Sequence, residues 1–511
     1  MRQVDWLLKL DPRPAQIEAL NRSYLGIAYR DALTDDAVPC AVPGSGGFPR
    51  RGWGHFLEQR IGKTPTFLNE FMLFRRDHDF KWAIVLSPNA YKKEWVAEAE
   101  KFGIDCAAMA FDSRDRAALQ KFITANRENG GLISINYEAL GSADTLSGLV
   151  EVLGPKTIIV ADESVWIKSP NSQMSKNARN VSKLCGAARV MSGKPITQGA
   201  HDLWAQLRFI GELDGWNPYA FKHAFCRMGG FQGKQVLKGE DNIRNPERLR
   251  AIRVACSWAA RKVDWMKTFH NDYPPPVKIN LLPDQLRMYK DMQTDFMVEL
   301  SGGTTIGADQ IITKLIKMQQ IASGFVIDEG GTIHDLMPPA KNPKLVELKR
   351  MLDDDIIIDD AGGKVIISCL YLRSIELIEE FLKDYNPAII RGAEWHKTSG
   401  RDIATEKRRF NEDPSCKILV GQVAALRYGH TLMGSQDFPC LNLIMYENNY
   451  SLNDRSQVEE RSRGAGQVAP VTIWDFVATR EDLLVVKALQ LKEDVAASIM
   501  GYARSTGVLP K

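Results

Sequence analysis

Short runs of aliphatic and β-branched residues recur along the chain, and longer stretches of mixed polarity separate them. In the first half the runs are AIVLSP (83–88), LISINY (132–137), TIIVAD (157–162) and RVMSG (189–193). In the second half they are KVIISCL (364–370), AIIRG (388–392), KILVGQV (417–423), LNLIMYE (441–447) and VTIWDFVA (471–478). Runs without polar alternation predict strands buried on both faces of a parallel sheet. Between them, KKEWVAEAEKF (92–102) and RSIELIEEFLKDY (373–385) carry the spacing of amphipathic helices. Strand and helix in alternation predict parallel sheets covered by helices.

The series occurs twice. Residues 201–275 are rich in aromatic and basic residues and show no strand series, and PPP at 274–276 reads as a connector. Residues 284–322 read as helical, and GFVIDEGGTIHDL (324–336) as a small hairpin turning on its glycine pair. The glycine-rich segment GSGGFPRRGWG (44–54) reads as a loop. No repeat of the solenoid type is present.

With 511 residues the chain suits two to four domains, and 44% hydrophobic with 25% charged residues is an ordinary globular balance. Lys plus Arg number 66 against 63 Asp plus Glu, a net charge of +3, so any nucleic-acid site must be a local patch. The eight cysteines form no C-x-x-C pair, which argues against a zinc ribbon and suits buried thiols in a reducing compartment. The N-terminal MRQVDWLLKLDPRP lacks the apolar core of a signal peptide, and no uncharged apolar stretch is long enough to span a membrane. A soluble, intracellular protein is the expectation.

Two elements carry chemistry. In FLEQRIGKT (56–64) an apolar strand end runs into Gly62-Lys63-Thr64 and a helix-compatible stretch. Backbone N–H groups at a helix start cradle phosphate, a lysine there reaches the β- and γ-phosphates, and the following hydroxyl ligates Mg²⁺. Leu57 stands where the full phosphate-loop pattern has glycine. About 100 residues on, TIIVADES (157–164) is a buried strand ending in acids. Asp162 suits Mg²⁺ and Glu163 suits orientation of the attacking water. Taken singly, a GKT is an ordinary turn and an acid pair an ordinary helix start; together they predict one ATP site.

The motifs that follow one another in the chain resemble those of the SNF2-like group of superfamily 2 helicases, especially the compact ones encoded by bacteriophages. RPAQIEAL (13–20) resembles the adenine-reading segment, with Gln16 as the hydrogen-bonding amide. VLSPNAYKKEW (85–95) and SINYEAL (134–140) resemble two strand-end motifs that grip DNA, and RVMSGKPITQGAHDLWAQLRFI (189–210) resembles the coupling motif. GQVAALRYGHTL (421–432) resembles a second DNA-contacting loop, and QVEERSRGAGQ (457–467) the arginine motif. Taken alone, Tyr137 is a core aromatic, Lys92 and Lys93 a solvated face, and Trp95 packing.

The resemblance implies an α/β fold of two tandem RecA-like domains with parallel sheets, plus helical insertions between and within them. The expected division is a first RecA-like domain over 1–212, a helical and basic insertion and linker over 213–277, a helical segment over 278–345, and a second RecA-like domain over 346–511. ATP and Mg²⁺ are the implied cofactors, held by Gln16, Gly62, Lys63, Thr64 and Asp162 with Glu163 on the water. Arg461 and Arg463 are the implied catalytic arginines. Ser87, Asn136, Lys194, Gly421, Gln422 and Thr431 are the implied DNA contacts. The implied partner is duplex, forked or branched DNA, in the cytoplasm of a bacterial or phage-infected cell.

The chain departs from the family pattern at three places. Val165 stands where the acidic motif usually has histidine. Lys194 replaces a threonine, which suits either a DNA contact or an ion pair. Gly464 occupies the place of the second motif arginine, with Arg463 one residue earlier. The expected function is an ATP-dependent DNA helicase or translocase serving replication, recombination or repair. The alternatives are a motor subunit of a restriction or defence complex, and a nucleic-acid-binding module with weak ATPase activity.

Overall fold

The computed structural model describes residues 4–25, 29–30, 37–38, 50–112, 115–229, 235–236, 243–265, 269, 271–301, 308–328, 330–356, 363–392, 399–426, 432–448, 451–462, 467 and 469–490. The chain divides into two units, Met1–Lys267 and Thr268–Lys511.

The main elements of unit 1 are α1 (Pro14–Ser23), β1 (Gly52–Leu57), α2 (Lys63–His78), β2 (Trp82–Ser87), α3 (Lys92–Phe102), β3 (Ala107–Ala110), α4 (Arg116–Ala125), β4 (Gly131–Asn136), α5 (Ala143–Leu149), β5 (Thr157–Asp162), α6 (Gln173–Leu184), β6 (Ala187–Met191), α7 (Asp202–Phe209), α8 (Pro218–Phe225), α9 (Pro246–Cys256) and β7 (Ser257–Ala260). Its sheet runs β7-β1-β6-β5-β2-β4-β3, with every neighbouring pair parallel. Successive strand residues point to opposite faces. Ile84, Leu86, Ile133, Ile135 and Ile159 pack on one face with α4, α6 and α7 side chains such as Leu119, Val181 and Leu203. Val85, Leu132, Ile158 and Val160 pack on the other with Phe67, Phe71 and Trp95 from α2 and α3. Both faces are therefore dry, which is why these strands read as unbroken apolar runs.

Unit 2 contains β8 (Val277–Lys278), α10 (Pro283–Ser301), α11 (Ala308–Ser323), the antiparallel hairpin β9 (Phe325–Ile327) and β10 (Ile333–Asp335), α12 (Pro343–Arg350), β11 (Lys364–Cys369), α13 (Leu372–Phe381), β12 (Ala388–Ile390), α14 (Ile403–Glu412), β13 (Ile418–Gln422), β14 (Cys440–Met445), α15 (Leu452–Glu459), β15 (Thr472–Val477) and α16 (Arg480–Gln490). Its sheet runs β8-β15-β14-β11-β13-β12 and is again all parallel. Ile367, Val420 and Ile444 face Leu348 and Ile378, while Ile366, Leu419 and Leu443 face Phe410 and Val458. The expected fold class, two tandem α/β domains with parallel sheets, is the one observed.

Two local readings are corrected. The segment 44–54 is not loop throughout, because β1 begins at Gly52. Its glycines answer close backbone approach: a Cβ on Gly52 would lie 2.0 Å from the Ile210 carbonyl oxygen, and one on Gly54 2.8 Å from Ser257 Cβ. Residues 44–49 lie outside the described residues. The stretch read as free of strands also holds β7, which adds to the edge of the first sheet beside β1. SWAA is only four residues long, and all but Trp258 are small, which is too little to announce a strand.

Among the described residues, no helix is long and apolar enough to cross a membrane.

Candidate nucleotide site and nucleic-acid interface

β1 and β5 flank β6, so the loops leaving the three strands emerge side by side. His55 pairs with Met191, and Met191 with Asp162, which sets the three exits level. Open parallel sheets bind ligands beyond the C-terminal ends of their strands.

After Leu57 the chain turns through residues 58–62 and enters α2 at Lys63. Gly62 is the N-cap, at φ 109° and ψ 50°, a left-handed conformation that glycine tolerates best. Pro65 lies in the first turn, where it forfeits no helical hydrogen bond. The first-turn N–H groups lack intrahelical acceptors and lie at the positive end of the helix dipole, which suits an anion. Lys63 Nζ donates to the Leu57 carbonyl at 3.2 Å, folding over the turn. Gln16 reaches the same turn from α1: its Nε2 donates to the Gly62 carbonyl at 3.1 Å, and its Oε1 accepts the Arg13 N–H at 2.7 Å. Thr64 is partly exposed one residue into the helix.

The turn is anchored by buried charge. Glu70 on α2 accepts from Arg189 of β6 at 2.9 and 3.0 Å and lies 3.1 Å from Nε2 of His55 on β1. All three side chains are fully buried. Burial alone would raise the Glu70 carboxyl, but the Arg189 guanidinium and His55 hold it well below the usual carboxylate range. The strand before the turn and the helix after it are thereby tied to each other and to β6.

At the end of β5, Asp162 Oδ2 accepts the Trp95 indole N–H at 3.0 Å, and Oδ1 accepts the Glu163 N–H at 3.0 Å. The Tyr137 hydroxyl donates to the Asp162 carbonyl at 2.6 Å. Burial first, and the Glu163 carboxylate second, push the Asp162 carboxyl above its ordinary range; the Lys63 ammonium and the Trp95 N–H pull it back. Lys63 and Asp162 are 99 positions apart in sequence. Glu163 sits at φ 49°, left-handed for a residue with a Cβ. Thr64, Asp162 and Glu163 are hard oxygen donors, the type that Mg²⁺ takes. Among the described residues no cluster of three or more His, Cys, Asp or Glu could hold a metal. Mg²⁺ commonly uses one or two carboxylates together with phosphate oxygens, so the donor set fits a nucleotide-borne ion.

Trp95 therefore does more than pack. It is buried edge-on against Phe67, with ring centroids 5.8 Å apart, and also orients the acid. Only its place on a helix after a strand-end motif hinted at this.

The expected DNA contacts of unit 1 share one edge of the sheet. Ser87 and Asn136 are register partners at the ends of β2 and β4. The Ser87 hydroxyl is buried without a partner, and Asn136 donates to Glu138 at 2.8 Å. Lys194 is exposed, and its N–H donates to Ser192 Oγ at 3.2 Å. Gly193 lies against the turn through residues 58–62, where an added Cβ would be 3.3 Å from the Gln59 nitrogen. In unit 2, Gly421 and Gln422 close β13, opposite Ser368 and Cys369 of β11. Thr431 and Arg463 lie outside the described residues. Arg461 follows α15, is 4% exposed, and donates from Nε to the Gln457 carbonyl at 2.7 Å.

A family model described as the SNF2-related domain matches residues 55–324. The mouse SWI/SNF-related matrix-associated actin-dependent regulator of chromatin subfamily A member 1 is 21% identical over 348 residues, covering 65% of this chain and 30% of that protein. The human DNA annealing helicase and endonuclease ZRANB3 is 19% identical over 463 residues, covering 87% of this chain and 38% of that protein. The chain thus spans about a third of the length of these curated relatives. Among solved structures, the Sulfolobus solfataricus SWI2/SNF2 ATPase core in complex with dsDNA is 18% identical, covers 100% of this chain and 99% of its own, and has a TM-score of 0.43.

Proposed function

The chain belongs to the family of SNF2-related domains, and on that premise we propose that it is an ATP-dependent DNA translocase, coupling ATP hydrolysis to movement on duplex or branched DNA in replication, recombination or repair. The observation that carries the reading is the level exit of three loops from adjacent strands. The phosphate turn with Lys63, the acid pair Asp162–Glu163 and the loop bearing Lys194 meet at one sheet edge. The names of the relatives, a chromatin regulator and an annealing helicase, support the same reading.

ATP with Mg²⁺ supplies the phosphoanhydride bond to be hydrolysed. The protein's own groups bind, orient and stabilise. The first-turn N–H groups of α2 and the Lys63 ammonium take up phosphate charge. Thr64 and Asp162 would hold the metal, which would neutralise phosphate charge, and the Glu163 carboxylate orients water and receives its proton. Arg461 is the proposed catalytic arginine, a contact to phosphate that stabilises its charge during hydrolysis. Ser87, Asn136, Gly421 and Gln422 contact the DNA backbone, so the motor is tolerant of base sequence.

Lys63→Ala is expected to abolish ATP turnover, and Glu163→Gln to retain ATP without hydrolysing it. Steady-state phosphate release and nucleotide-retention assays check both. Wild-type turnover in both variants would overturn the site.

A further inference from the structure

Helix α7 reads DLWAQLRF, and its Gln206 is fully buried in an otherwise apolar stretch between Leu203 and Leu207. A buried primary amide is costly unless its hydrogen bonds are made. Here they are. Its Nε2 donates to the Pro195 carbonyl at 2.7 Å and to the Asp202 carbonyl at 2.8 Å. Its Oε1 accepts from the hydroxyl of Ser164, also fully buried, at 2.6 Å. The two carbonyls can only accept, so the amide has one workable orientation and Ser164 must be the donor.

The two ends of this chain of bonds matter. Ser164 follows Glu163 directly, at the acid pair. Pro195 follows Lys194 directly, in the loop that lies against the phosphate turn. The rest of that loop is clamped to the same helix: the Asp202 carboxylate accepts the Thr197 N–H at 2.7 Å, the Thr197 hydroxyl at 2.9 Å and the Gln198 N–H at 2.8 Å. The next residue, Val165, offers no polar side chain for such a link. We infer that Gln206 is a positioning residue that transmits the position of the 192–198 loop to the acid pair through Ser164, and so makes ATP turnover depend on bound DNA. The inference rests on the translocase reading above. A shift of the loop of about 1 Å breaks or remakes the Pro195 bond, since hydrogen bonds lose most of their strength over that distance. The Ser164 hydroxyl is bonded to the same amide and stands directly beside Glu163, so movement of the amide reaches the acid pair through it.

The test uses the full chain and linear duplex DNA. Hydrolysis is measured with and without DNA, and affinity for a fluorescent ATP analogue is measured separately, for wild type, Gln206→Leu, Ser164→Ala and the double variant. Leucine keeps the buried volume and removes the amide. The expected result is a fall of about ten-fold or more in the ratio of DNA-stimulated to basal turnover in each single variant, with nucleotide affinity retained. The double variant should be no worse than either single one, as coupled neighbours behave. Ser164→Thr, which keeps the hydroxyl, should restore part of the ratio. An unchanged ratio in Gln206→Leu and Ser164→Ala overturns the inference. So does a loss of nucleotide affinity parallel to the loss of turnover, which marks a purely structural role. A wild-type protein that ignores DNA refutes the translocase reading itself, and that is seen before any variant is compared.

Discussion

Gly62 and Trp95 show how single residues shape the candidate nucleotide site. At φ 109°, Gly62 carries a carbonyl that collects hydrogen bonds from Gln16 and the Thr66 hydroxyl. A Cβ there would lie 2.1 Å from Gln16 Nε2. The glutamine can swing aside, so the lasting cost of Gly62→Ala is backbone strain of about 1–3 kcal/mol. Denaturant unfolding should read that loss of stability, and nucleotide affinity should fall with it. Trp95→Phe keeps the ring packed against Phe67 and deletes one hydrogen bond to a carboxylate, a contribution of about 1.5–3 kcal/mol. The variant should stay folded by near-ultraviolet circular dichroism and hydrolyse ATP about ten-fold more slowly or worse. Lys63, Asp162 and Glu163 were legible in the sequence as candidates because each follows an apolar run. Trp95 was not, because its partner lies 67 positions away and no local pattern joins them.

At the scale of elements, β1, α2 and β6 are bound together by His55, Glu70 and Arg189. Removing Arg189 leaves the Glu70 carboxylate buried without its guanidinium partner, so Arg189→Met should cost about 3–5 kcal/mol. The acid response follows from Glu70, whose folded pKa is held below its ordinary value of about 4.5. Its contribution to stability is complete above that value and is lost as pH falls through it toward the lowered one. Glu70→Gln should therefore be less stable at neutral pH and show a shallower loss between neutral pH and about pH 3, read as denaturation midpoints. The strands themselves were legible, since runs such as TIIVAD are buried on both faces and show no alternation. The end of β1 was read as an apolar strand end, but its start was hidden by Gly52 and Gly54, and β7 by its shortness and its small Ser and Ala residues. Both buried polar networks did leave a signal: Glu70 and Gln206 each interrupt a helix that is apolar on nearly every side, FLNEFMLF and DLWAQLRF. A polar group in such a setting requires a partner.

At the scale of the whole molecule, a net charge of +3 leaves the proposed DNA affinity to local groups at the strand ends. Binding should weaken steeply with salt, because phosphate contacts release counterions, and should vary little with base sequence. Arg461 belongs to this scale, since its proposed role is felt in the chemical step while its side chain is buried in unit 2 against the Gln457 carbonyl. Arg461→Ala should retain nucleotide binding and lower turnover by about 10³-fold or more. The most direct measurement is the ATP hydrolysis rate of the full chain without nucleic acid and with single-stranded, duplex, forked and four-way DNA, across a salt titration. The account predicts a rise of about five-fold or more with duplex or branched DNA, fading as salt increases, and no turnover in Lys63→Ala. A rate indifferent to every nucleic acid at every salt concentration would contradict it.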